Sequence, residues 1–151
     1  MTTTTENDPT TTTTTTELKW LRAATGLLLV GGVAWLLKFA TIAATKGEDN
    51  ILVSPLWIVG FFSMLLGAAG IGVWLTWRLH VVVRILAGFV GAVAFFMSMN
   101  VTDSLAKSVA GDSGPAYLTD EWGILFTAIL WLIVGLGAAA RYRSVVAGRT
   151  D

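Results

Sequence analysis

The sequence contains no cysteine and one histidine, His80. Without cysteine there is no disulfide framework, no thiolate nucleophile and no Cys-ligated zinc or iron–sulfur site. One histidine excludes a multi-histidine site within a single chain. Charge is scarce as well: 13% of the 151 residues are Asp, Glu, Lys or Arg, about half the roughly 25% of an ordinary soluble domain. The ten basic and ten acidic residues cancel to zero net charge. Composition therefore offers no electrostatic argument for a nucleic-acid partner.

What is present is apolar. Hydrophobic residues make up 54% of the chain, with seven tryptophans and sixteen glycines. Long uncharged apolar blocks fill most of the length, which reads as a polytopic membrane protein. Residues 1–18 are different. "MTTTTENDPTTTTTTTE" has no aromatic and no leucine, cannot bury enough surface to fold alone, and reads as a disordered Thr-rich tail.

Four apolar segments follow at about 20–45, 55–77, 82–102 and 122–140. Each is near the ~20 residues that a helix needs to cross ~30 Å of hydrocarbon, and none alternates as a barrel strand would. The expectation is an all-α integral membrane four-helix bundle over 19–143, with a short C-terminal tail at 144–151. Ser54 and Pro55 suit the N-cap and first position of the second helix.

Lysine and arginine set the expected orientation. With the N-terminus inside, Lys19, Arg22, Arg78, Arg84, Arg141, Arg143 and Arg149 fall on the inner side, and Lys46 and Lys107 on the outer side. The outer loops also collect Glu48, Asp49, Asp103, Asp112, Asp120 and Glu121. Both termini are thus expected in the cytoplasm, with the chain in an inner or plasma membrane. The Ala/Gly/Val-rich, Cys-free helices are compatible with a bacterial inner membrane. Trp20, Trp74, Trp77 and Tyr142 mark one interface, and Trp57, Tyr117 and Trp122 the other. A rival reading takes Lys19, Arg22 and the following leucines as a cleaved signal peptide. The length of the apolar stretch and its interruption by Lys38 argue against it.

Lipid gives helices no hydrophobic reason to associate, so close contact relies on small residues. Spaced three and four apart are Gly60, Ser63, Gly67 and Gly70 in the second helix, and Gly88 and Gly91 in the third. Gly31 with Ala24 and Ala34 mark the first helix, and Gly135 with Ala128 and Ala138 the fourth. These are the expected packing positions. "GAAGIG" at 67–72 has the wrong spacing and setting for a dinucleotide fingerprint. The short turn "WRLHVV" makes the second and third helices antiparallel neighbours, and "GDSGP" marks a turn in the longer loop.

Lys38 interrupts the first span. It shares the small-residue stripe and should face protein. It lies about 27 Å from Trp20 at 1.5 Å per residue, so its stem can carry the ammonium to the outer interface. The alternative is a polar site between helices made of Lys38, Asp103 and Asn100. Against it, Asp103 has a nearer partner in Lys107, four residues on. Asp120 and Glu121 suit the positive end of the fourth helix.

Function follows only as a class. An intramembrane enzyme needs a nucleophile with a base, or paired carboxylates, within the spans. The spans hold no such set, and no cofactor or metal is expected. The remaining readings are an accessory, structural or regulatory subunit of a membrane complex, or a homo-oligomeric pore, holin-like or as a small transporter subunit. Expected partners are the lipid bilayer and either a protein partner or further copies of the chain.

Overall fold

The computed structural model describes residues 9–110, 115–119 and 121–147. Among these, every regular element is a helix: α1 Pro9–Thr45, α2 Val53–Leu75, α3 Val81–Ala110, the one-turn α4 Ala116–Thr119, and α5 Trp122–Ala147. Helices α1, α2, α3 and α5 are long and apolar enough to cross a membrane. Residues 1–8 of the Thr-rich tail, most of the "GDSGP" turn, Asp112, Asp120, and 148–151 with Arg149 lie outside the described residues.

Several boundaries differ from the sequence reading. Helix α1 begins at Pro9, inside the segment assigned to a disordered tail. Adding residues to an existing helix avoids the cost of nucleation, so threonines preceding the apolar run join it. Helix α5 continues to Ala147, beyond the expected end of its apolar stretch, for the same reason. Helix α2 starts at Val53, with Leu52 at the cap position and no side-chain cap. Ser54 is therefore inside the first turn. Asn50 serves the loop instead, its Oδ1 accepting the Leu52 N–H at 2.9 Å.

The helices pack as a closed ring: α1 on α2 and α5, and α3 on α2 and α5. Consecutive long helices run antiparallel. Between α2 and α3 the chain turns within Thr76–His80, held by a Leu79 N–H to Thr76 carbonyl bond at 2.8 Å. His80 caps this turn through its Nδ1, which accepts the Val82 N–H at 3.4 Å. At the opposite end, α1 stops where Lys46 and Gly47 take positive φ, 52° and 83°. This is a left-handed stop that glycine adopts without strain.

Small residues bring α1 and α2 close. A side chain at Gly60 would overlap the Trp35 indole, one at Gly67 would meet Leu28 Cγ at 2.7 Å, and one at Gly70 would meet Ala24 Cβ at 2.8 Å. Gly31 lies against Gly60 and Met64. Between α2 and α3, Gly91 lies on the Ala68 carbonyl and Gly88 against Val73. Gly135 of α5 receives Leu28 and Leu29. Ser63 is half-buried, and its neighbour Met64 fills the interior instead. Gly72 and Gly32 also sit at close approaches, against the Ala87 carbonyl and Leu132.

All four long helices supply the core: Leu28 and Trp35, Met64 and Ala68, Phe95, then Ala128 and Trp131. Phe95 joins them, its ring centroid 6.2 Å from Trp35 and 5.8 Å from Trp131. Tilted and edge-on rings at such distances add to the area they bury.

Candidate functional site

Lys38 lies on the buried stripe of α1 with Ala34, Trp35 and Ile42. It is 4% exposed, so its ammonium is enclosed by protein. It donates to the Glu121 carboxylate, forming an ion pair between α1 and the start of α5. Glu121 immediately precedes α5, and its backbone carbonyl accepts the Leu125 N–H at 3.0 Å. The residue read as serving the helix dipole thus also serves Lys38.

The pairing with Asp103 proposed from sequence is not formed. Asp103 bonds Lys107 at 2.7 Å, one turn along α3, where both side chains are substantially exposed. The reason is topological: α1 and α3 face each other across the ring, whereas α1 and α5 are neighbours. Asn100 is exposed on α3, its Nδ2 donating to the Phe96 carbonyl at 2.9 Å. Lys38, Asp103 and Asn100 are not brought together as one site.

Two cavities flank the ion pair. One of about 280 Å³ is lined by Lys38, Val53, Ser54, Trp57 and Ile58. The other, about 310 Å³, has Glu48, Asp49, Asn50, Tyr117 and Glu121 in its wall, and shares Val53 and Ser54 with the first. Aromatic packing braces the pair on both sides. Phe39 meets Trp122 at 5.6 Å between centroids, and the Trp35 Nε1–H donates to the Trp57 carbonyl at 3.1 Å.

A second polar set ties α3 to α5. The Trp131 Nε1–H donates to Ser98 Oγ at 2.9 Å, and the Thr102 and Thr127 hydroxyls bond each other. Both threonines also donate to carbonyls of their own helix, Ser98 and Gly123; each hydroxyl rotor divides between these alternatives. Gly123 lets α5 approach Asp103 closely. A groove of about 290 Å³ opens beside this seam, lined by Phe96, Met99, Asn100, Asp103, Ile124 and Thr127.

The small-residue spacing points to neither Thr127 nor the pairing role of Glu121. The signal for Glu121 was its level: it starts α5 at the end where α1 carries Lys38. Chemically, both sets join helices. The charges neutralise each other, and the hydroxyls are spent on carbonyls and on one another. Among the described residues no group of three His, Asp or Glu is placed to hold a metal ion. Comparison with known protein families, with curated proteins and with solved structures finds no match.

Proposed function

We propose that the chain is a multi-pass membrane protein with both termini in the cytoplasm, acting as an accessory or structural subunit of a membrane complex. The observation that carries this reading is the filled ring. Trp35, Met64, Phe95 and Trp131 occupy the space between the four helices, so a single copy is built as a solid unit and not around a polar path. The ionisable pair within it is spent on joining α1 to α5. An ionisable residue in a span is by default a functional candidate; here its partner supports a structural use.

The test is purification at native expression level in mild detergent, with the mass of the particle measured and its proteins identified. A stoichiometric foreign protein supports the accessory reading. A particle made of this chain alone that passes ions across liposomes replaces it with the pore reading.

A further inference from the structure

Joining α1 to α5 uses one of the N–H donors of the Lys38 ammonium, which has three. No other hydrogen bond leaves it among the described residues, and its side chain is 5% exposed. Lys38 stands in the wall of the cavity of about 280 Å³ with Ser54, Trp57 and Ile58. The Ser54 hydroxyl has no partner among the described residues either. Val53 and Ser54 open the first turn of α2, and the positive end of a helix favours an anionic oxygen. A buried ammonium, a hydroxyl and a helix start thus share one cavity, far larger than the ~30 Å³ share of a single water. Trp57 and Ile58 are 39% and 50% exposed, so the apolar wall continues onto the outside of α2. The adjoining cavity of about 310 Å³ has the opposite charge: Glu48, Asp49 and Glu121 stand in its wall. The two cavities meet at Val53 and Ser54. Glu48 and Asp49 enter no ion pair among the described residues, and Glu121 gives Lys38 only its Oε2.

We propose that the two cavities together bind the headgroup of a zwitterionic phospholipid with a primary ammonium, as in phosphatidylethanolamine. The proposal rests on the membrane insertion given above and not on the accessory role. Phosphate oxygens accept from Lys38 Nζ and Ser54 Oγ at the start of α2. The ammonium of the lipid donates to the carboxylates of Glu48, Asp49 and Glu121, and an acyl chain runs along Trp57 and Ile58. Charge selects among lipids. Lys38 and Glu121 cancel each other, so an anionic headgroup would meet Glu48 and Asp49 with nothing to offset them. A zwitterion places its negative group on the Lys38 side and its positive group on the acidic side. A quaternary choline has no N–H to give, whereas a primary ammonium makes charge-assisted hydrogen bonds to carboxylates.

Removing Lys38 would strand Glu121, so the test uses variants that keep the ion pair. The full chain, purified in mild detergent and stripped of lipid, is mixed with phosphatidylethanolamine, phosphatidylglycerol or phosphatidylcholine of identical acyl chains. Native mass spectrometry counts the lipid bound. Phosphatidylethanolamine is expected to bind about tenfold more tightly than the other two, the effect of one hydrogen bond to a charged group. Glu48→Gln with Asp49→Asn should abolish its preference over phosphatidylcholine, a comparison in which the net charge of the lipid does not change. Ser54→Leu, which fills the wall shared by the cavities, should weaken phosphatidylethanolamine binding by about tenfold or more. Gly137→Ala, faced by nothing within 4 Å, should leave it unchanged. Equal binding of the three lipids, a preference for either of the others, no bound lipid, or a preference that survives both cavity variants would each overturn the proposal. Alkaline extraction of native membranes separates the two failures. A chain retained in the membrane but without the preference defeats only the lipid site, whereas a chain released into the wash defeats the insertion on which it rests.

Discussion

Lys38 and Glu121 show how context decides what a charged residue costs. The lysine side chain is 5% exposed and the glutamate 17%, so neither is bathed in water. Removing one partner of such a pair strands the other, at about 3–5 kcal/mol, whereas replacing both with apolar residues is often neutral or stabilising. Lys38→Met is therefore expected to lower the unfolding midpoint in detergent strongly, and Lys38→Met with Glu121→Leu to restore most of the loss. A neutral single variant would mean that the pair does not hold α1 to α5. From sequence, Lys38 read as a residue facing protein near the end of its span, but its partner was not legible. The two residues lie 83 positions apart, and several carboxylates share that end of the molecule. Choosing among them required knowing which helices are neighbours.

At the scale of the helix, glycines divide by what faces them. A side chain at Gly60 would overlap Trp35, whereas at Gly137 nothing lies within 4 Å. Gly60→Val should destabilise by about 1–3 kcal/mol through overpacking. Gly137→Ala should be neutral or stabilise by up to about 1 kcal/mol, since alanine favours the helix over glycine. Thermal unfolding of the two variants in one detergent separates these outcomes. The α3–α5 seam is expected to respond more gently. Thr127→Val removes the hydroxyl that meets Thr102, and Trp131→Phe removes the donor to Ser98. Each should cost about 1 kcal/mol or less, the usual range for such bonds between helices in lipid; denaturant titration of the detergent-solubilised variants measures it.

The existence of four long apolar helices was legible because hydrophobic length is a local property. Boundaries were less so. Threonines have no apolar pattern of their own, yet α1 runs through them from Pro9. The one-turn α4 left no periodic signal at all. Stripes of small residues pointed to the contact faces but not to their partners, since glycine shows where a neighbour comes near and not which neighbour it is.

For the whole molecule, the antiparallel order places the start of α1 and the end of α5 at one end. Helix α1 meets both α2 and α5, while α3 closes the ring on the far side. In a membrane, reporters fused to the two termini should report the same compartment, and one inserted at 48–50 the opposite one. An N-terminal tag should also remain on the mature chain, since α1 supplies Leu28 and Trp35 to the shared core. Loss of the tag with an otherwise intact protein would return the signal-peptide reading.

The distance along the chain between Lys38 and Glu121 has a consequence for biogenesis. In a chain inserted as proposed, α1 leaves the ribosome early, and its lysine meets the bilayer before Glu121 has been made. At ~5–20 residues per second, the 83 positions from Lys38 to Glu121 take roughly four to seventeen seconds to synthesise. During that interval the nascent α1 carries an uncompensated charge, which favours its retention beside the insertion machinery or close to the headgroups. On that reading the arrival of α5 supplies the counter-ion, so the last helix completes the setting of the first.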